Sequence, residues 1–413
     1  MLRSSALYLV LVISFIVSLI LGSMIYIAYF FRDQESRFHR QDMLRQQIDA
    51  GYQLASSRDF PSVRDSMLTH VLMEGDSIQV SRYEWGLYDI VSVKSQIQQD
   101  SMLQVAMIGQ QLTDSTVLYI VDEDRPLSVS GKTVIKGNTF LPKSGIRPSY
   151  VDGDYFQGYK DIIEGKMGDS DRKMPSVVEN RLQYIQSLLA FDSLPYPELP
   201  GGSINAAFSA GTQTYRVSGS SFIQDSLTGN IIVVSDTTIR ISSSSHLDDI
   251  IVVAPSIRIE TGFKGNAQFF ATDSIVLEEK VNLLYPSTVG LISEKDSNSK
   301  ISIGKQCELA GTVFLYEKER SDIPPIASFG KDCRVEGDLY ITGLLDYAKG
   351  FQVSGKIACY RFLYKSPSSL YENFLVDVTF DRSKRSPYFI SSYLQNNDQG
   401  KVFNKPIKWY HEI

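Results

Sequence analysis

Among the 413 residues only three are Cys, four are His and two are Trp. Three thiols, an odd number, exclude a small disulfide-built scaffold. His39, His70, His246 and His411 are scattered, with no His-x-x-His or His-Glu-x-x-His spacing to place two imidazoles on one metal. There is no extended basic run, and 41 Lys and Arg against 47 Asp and Glu leave a net charge of −6. That balance argues against a nucleic-acid partner, because neutralising phosphates takes clustered cations. A P-loop, a dinucleotide fingerprint and a Gly-x-Ser-x-Gly elbow are missing as well. No catalytic residue, cofactor or metal is therefore expected. The chain is not poor in core material: 43% of it is hydrophobic, which excludes a mainly disordered chain and leaves room for one to three domains.

What is present begins with an uncharged stretch over residues 6–31. At 1.5 Å per helical residue it crosses a hydrocarbon core of about 30 Å with tilt to spare, so a membrane helix in contact with lipid is predicted. A secretory signal peptide has a shorter apolar stretch and a small-residue cleavage site, so the segment is expected to stay attached. Arg32, Arg37, Arg40 and Arg45 on one flank outnumber Arg3 on the other, which by the positive-inside count puts the body in the cytoplasm. The short basic stub before the span is instead the layout of an uncleaved signal-anchor, and the reading adopted is a body outside the cytoplasm. Beyond the span, Phe38, Leu44, Ile48, Tyr52 and Ala55 recur at near-helical spacing, which extends the helix to about Ser56 with one apolar stripe. Residues 86–93, 102–108 and 116–121 read as short strands of a small antiparallel sheet.

This arrangement resembles the type IV pilin and pseudopilin class, in which a hydrophobic half-helix runs into an amphipathic half packed on a β-sheet. The stub Arg3-Ser4-Ser5-Ala6-Leu7-Tyr8 lacks the Gly of the usual leader cleavage site, and no Glu stands near the start of the apolar run. The resemblance covers about a quarter of the chain and implies an envelope protein of a pilus-like or secretion machine.

The middle of the chain carries a tetrad, apolar-x-Gly-(polar or small). It occurs at Val129-Ser130-Gly131-Lys132, Ile135-Lys136-Gly137-Asn138, Val151-Asp152-Gly153-Asp154, Leu227-Thr228-Gly229-Asn230, Phe263-Lys264-Gly265-Asn266, Leu309-Ala310-Gly311-Thr312, Val335-Glu336-Gly337-Asp338 and Val353-Ser354-Gly355-Lys356. Counting by sixes, Ile251, Ile257, Phe263, Phe269, Ile275 and Val281 are all apolar, as are Phe329, Val335, Ile341, Tyr347, Val353 and Cys359. Each such ladder has a chance probability of about 0.6% per register, so two of them point to a true repeat. Ile303-Gly304-Lys305-Gln306-Cys307 maps onto Phe329-Gly330-Lys331-Asp332-Cys333, and Ile239-Arg240-Ile241 onto Ile257-Arg258-Ile259. A six-residue period suits three short strands per turn of about eighteen residues, wound into a parallel β-solenoid whose glycines sit at corners where a Cβ would clash. The spacing of 26 between Cys307, Cys333 and Cys359 reads as one turn plus an eight-residue loop, with the thiols as small core residues.

The repeat resembles hexapeptide-type parallel β-helices and, among them, the bactofilins, which are polymer-forming scaffold proteins. The fold class expected is thus mainly β: an N-terminal tail and transmembrane helix over residues 1–31, an amphipathic helix with a small sheet over 32–125, and a parallel β-helix over 126–362. A helical insertion is placed at 159–200 and a C-terminal cap at 363–413. The function expected is a membrane-anchored, non-enzymatic scaffold or assembly protein with protein partners or self-association. The alternative is a tethered β-helix enzyme or binder for envelope polysaccharide, for which glycan contacts are expected at paired acids. Asp152 with Asp154, Asp248 with Asp249, and Asp122-Glu123-Asp124 are the acids available, and His246 is the one imidazole inside the repeat. Turn and corner roles explain the acids more simply, and a solvated corner explains His246.

Overall fold

The computed structural model describes residues 2–57, 60, 67–73, 76–112, 114–158, 161–190, 196–218, 222–395 and 403–410. The protein is mainly β with one long N-terminal helix, α1, Leu2–Ala55. Residues 1 and 411–413, and with them His411, lie outside the described residues, as do the side chains of Arg3, Ser4, Ser5 and His70.

The helix runs unbroken from the apolar half into the amphipathic half, as the stripe of apolar residues requires. Ile48 and Ala55 pack with Val80, Val91, Val93, Ala106 and Ile108; Leu44 is buried as well, while Phe38, also on the expected stripe, is exposed. Those partners belong to a five-stranded antiparallel sheet in the order Met67–Met73, Asp76–Trp85, Tyr88–Ile97, Asp100–Gln111 and Phe403–Tyr410. The expected strand at 116–121 is not in it. Thr116–Ile120 pairs in parallel with residues 357–359, and a strand Phe403–Tyr410 from the far end of the chain takes its place beside Asp100–Gln111. Alternation of apolar and polar residues marks a strand without naming its partner.

The second sheet is large, parallel almost throughout and has 23 strands among the described residues. Its pairings form three ladders: a first through Leu227 and Leu247 and on through Leu283, Leu309, Val335 and Val353, a second through Val233, Val252, Phe269, Val289, Val313, Leu339 and Ile357, and a third through Ile239, Ile257 and Ile275. In the third, Ile239 lies beside Ile257 and Ile257 beside Ile275, a step of 18 residues. The step is 26 from Ile275 to Ile301 and from Ile301 to Ala327, then returns to 18 at Leu345. The additional residues occupy the bend at 284–286 and the loop 294–299 in one turn, and the loop 318–325 in the next. Inward side chains from all three ladders make one continuous apolar core that includes Ile257, Phe263, Phe269, Ile275, Val281 and all six residues of the series from Phe329 to Cys359. Ile251 departs from the expected register. A shift between Asp248 and Ile250 turns Val252 inward and Ile251 outward.

The stacking order is not the chain order. Successive rungs climb from Ser203–Ala206 to Gln352–Lys365, but the next rung is composite. Phe374–Val376 and Thr379–Asp381 supply two of its strands, and Thr116–Ile120, more than two hundred residues earlier, supplies the third. Leu127–Ser130, Val134–Lys136 and Asn138–Leu141 stack on that rung, and Ile146–Pro148, Ile163–Glu164 and Met167–Asp169 follow. Three expected boundaries are corrected by this. The parallel sheet begins at Thr116, not at 126. The stretch 159–200 contributes rung strands as well as its helix, which is α2, Glu179–Leu189, and starts after Val178 without a side-chain cap. The segment 363–413 is not one cap: its first part builds rungs and its last strand joins the antiparallel sheet.

The second ladder is apolar on both faces. Outward from it, Ile232, Val234, Ile251, Val253, Phe270, Phe314 and Ala358 meet Leu182 and Ile185 of α2 and Tyr83, Trp85, Tyr88, Ile90, Val105 and Met107 of the antiparallel sheet. The antiparallel sheet is thus covered by α1 on one face and by the parallel sheet on the other.

Candidate functional site

The apolar half of α1 is a long uncovered hydrophobic surface. Every large apolar side chain from Leu7 to Phe31 is exposed, at 39–71% of its full area. Water disfavours such a contiguous surface at about 25 cal/mol per Å², whereas a bilayer accepts it. Of the three serines inside the span, two return their hydroxyls to the helix, Ser14 Oγ donating to the Leu11 carbonyl at 2.9 Å and Ser23 Oγ to the Ile20 carbonyl at 2.8 Å. By length and composition α1 suits a membrane crossing.

The outer half of α1 is held to the body by the last strand. Trp409 packs on Tyr52 with ring centroids 4.8 Å apart, and Asn404 Nδ2 donates to the Ser56 carbonyl at 2.8 Å. On the other side of the same strand Lys408 Nζ reaches Asp249 at 2.6 Å and Asp248 at 3.0 Å. Burial, and then the Asp248 charge, raise the Asp249 carboxyl above its usual range against the pull of Lys408. The Lys408 ammonium loses hydration there, but the two carboxylates outweigh that loss and hold it above its ordinary value. Asn266 Nδ2 donates to the remaining Asp249 oxygen at 2.6 Å. Asp248 and Asp249 therefore clamp the C-terminal strand, and their oxygens face protein donors.

A second buried charge cluster joins the antiparallel sheet to α2. Asp89 is fully buried and accepts from Arg82 Nε at 2.7 Å and Arg181 Nη2 at 2.6 Å, and both guanidiniums lie over the ring of Tyr393. Burial works against the Arg181 charge, but Asp89 and Glu84 outweigh it and the guanidinium titrates above its ordinary value. Gln268 completes the junction: its side-chain amide donates to the Trp85 carbonyl at 2.9 Å and accepts from the Leu87 amide at 2.8 Å. Sequence reasoning missed Asp89, Arg181 and Gln268. The available signal was the unbroken apolar runs Ile231–Val234 and Ile250–Val253, which mark strands buried on both faces and so announce a partner.

The other acids also hold the architecture. Asp122 caps its own turn by accepting from the Asp124 amide at 3.0 Å, and Asp124 pairs with Arg172 at 2.8 Å. Glu123 binds Arg361 and Arg320; burial alone would raise its carboxyl, but the two guanidiniums hold it below the usual range. Asp152 has φ of 53° in the turn between Tyr150–Val151 and Asp154–Tyr155 and accepts from Tyr364 Oη at 2.9 Å. Each acid set has partners of its own: Tyr364 for Asp152, Arg361 and Arg320 for Glu123, and Lys408 for Asp248 and Asp249. His246 is exposed at a strand start, and His39 is exposed on α1. Among the described residues no group of three His, Cys, Asp or Glu is placed to hold a metal. Cys307, Cys333 and Cys359 are free and fully buried, as core positions.

Among solved structures, the chain is similar to the competence-associated pilin ComZ from Thermus thermophilus, at a TM-score of 0.25 and 11% identity over 91% of this chain and 95% of that one. No protein-family model and no curated protein matches.

Proposed function

We propose that this chain is a single-pass envelope protein, anchored in the bilayer through residues 6–31, with its body outside the cytoplasm and no enzymatic activity. Its three ladders are read as a parallel β-solenoid, a stiff body that serves as scaffold or assembly surface in a pilus-like or secretion machine. The observation that carries this reading is the division of one unbroken helix: its first half is apolar and uncovered, and its second half is packed on an antiparallel sheet. Such a helix concentrates the protein in the membrane plane and sets the body at a fixed height above it. The partners are lipid and other proteins, or further copies of the chain. The polysaccharide alternative draws no support from the acids, since each set is engaged in holding a turn, a strand or a rung.

Protease added to intact spheroplasts tests the placement. Digestion of the body, leaving a helix fragment that resists alkaline carbonate extraction, is expected. Protection of the body until lysis would reverse the orientation, and release of the whole chain by carbonate would remove the anchor.

A further inference from the structure

At successive corners of the parallel sheet a residue with positive φ precedes an inward side chain: Lys280 before Val281, Gln306 before Cys307, Asp332 before Cys333 and Gly350 before Phe351. The flanking registers, Asn282 beside Glu308, Glu308 beside Arg334 and Arg334 beside Gln352, stack those four inward residues in one column. Two thiols are therefore neighbours in adjacent rungs. Both sit in equivalent surroundings: Cys307 Sγ donates to the Glu278 carbonyl at 3.0 Å, and Cys333 Sγ to the Gly304 carbonyl at 2.8 Å. The Cys333 thiol lowers the pKa of Cys307, which the amides of Val281 and Lys280 lower further, while Cys333 itself is pushed up. Cys359 lies elsewhere, in the second ladder beside Ile341 and Ile120, with its thiol raised by burial.

We propose that Cys307 and Cys333 close to a disulfide across two neighbouring rungs as the chain folds, with a low-molecular-weight disulfide as oxidant. Adjacent strands lie about 4.8 Å apart, inside the Cα separation of about 4.4–6.8 Å that a disulfide spans. The Cys307 thiolate attacks the oxidant, forming a mixed disulfide and expelling one thiolate. The Cys333 thiolate then attacks the Cys307 sulfur and expels the second. Two electrons pass to the oxidant, and the two protons lost by the cysteines end on the two released thiols. Because both sulfurs are fully buried, exchange takes place before these rungs close over them. The bond closes a loop that contains 318–325, the larger insertion, and restricts the unfolded chain there.

The full chain, unfolded and refolded in detergent micelles with either oxidised glutathione or a reductant, tests this. After oxidising refolding the protein is expected about 2 Da lighter, with iodoacetamide labelling Cys359 alone and a linked peptide pair carrying Cys307 and Cys333. Its denaturation midpoint is expected above that of the reduced form. Cys359→Ala must keep the bond and Cys333→Ser, a one-atom change, must lose it. Three labelled thiols after oxidising refolding, or a bond that includes Cys359, would overturn the proposal. Should refolding yield be low, cell-free synthesis with and without oxidised glutathione gives the same readout. None of these outcomes depends on which side of a membrane the body occupies.

Discussion

Gly337 stands between Gly311 and Gly355 in three successive rungs, at the bend between the first and second ladders. Its φ is 145°, and a Cβ built on it would overlap the Gly311 carbonyl oxygen; a Cβ on Gly355 would in turn overlap the Gly337 carbonyl. Close rung spacing at a bend leaves no volume for a side chain, and backbone on both sides cannot move aside. Gly337→Ala is therefore expected to destabilise the body by about 2–4 kcal/mol through strain and overpacking. Gly145→Ala supplies the comparison, since Gly145 has φ of 73° but nothing within 4 Å of a built Cβ. It is expected to lose only the left-handed backbone preference, about 1 kcal/mol. Thermal melting of the two variants against the parent checks both, and equal losses would show that φ alone, not rung spacing, requires these glycines. The tetrad in the sequence marks this column correctly at Gly311, Gly337 and Gly355. Gly131 and Gly153 fit the same tetrad yet sit in turns, so the motif is broader than the structural role.

The composite rung is an element made by two distant segments, and charges fasten its edges. Glu123 binds Arg361 and Arg320, Arg125 binds Glu372, and Lys356 Nζ meets Asp114 at 3.1 Å. Burial raises the Asp114 carboxyl, but Lys356 and the hydrogen bonds from Thr116 outweigh it, so Asp114 as well as Glu123 titrates below its ordinary value in the folded protein. A carboxyl depressed on folding stabilises fully above its unfolded pKa, near 4, and that contribution is lost as pH falls through the lower folded value. Stability should thus decline from about pH 4 downward, and Glu123→Gln with Asp114→Asn should be weaker at neutral pH and flatter across that acid range. Urea midpoints measured from pH 2 to 7 decide this, and parallel acid limbs in parent and variant would remove the charges from the seam. The eighteen-residue step was legible because Ile239, Ile257 and Ile275 are separated by equal turns, and the 26-residue step because Cys307 and Cys333 keep their flanking residues. The composite rung was not legible. Thr116–Ile120 has the same alternation as a strand of the antiparallel sheet, and no local residue records that its partner is 357–359. The last strand escaped for the same reason, and Lys408 reads as a surface cation until Asp248 and Asp249 are brought beneath it.

In the whole molecule, this stacking order makes one chain clasp itself. The chain builds α1 and most of the antiparallel sheet, lays rungs from Thr116 to Asp169, and crosses by way of α2 to the opposite end at Ser203. It then climbs back until residues 352–381 meet the rungs laid first. The segment after Ser203 consequently holds the segment before it along much of its length: the parallel pairs of Ile357–Cys359 with Leu118–Ile120 and of Phe374–Val376 and Thr379–Asp381 with the rung above, the apolar contact of Trp85 and Tyr88 with the second ladder, and the strand Phe403–Tyr410 beside Asp100–Gln111. Gly201 and Gly202 are exposed and lie where the chain arrives at its first long rung series. A protease site inserted between them and cut in the folded protein should leave two pieces that co-elute from a sizing column in detergent and unfold in a single transition. Contacts this extensive across the cut make each piece an incomplete core with open strand edges, so neither should persist alone in soluble form. Separation of the two pieces under native conditions, with each keeping its circular dichroism, would mean that the rungs before and after Ser203 are independent units and that the composite rung does not bind them together.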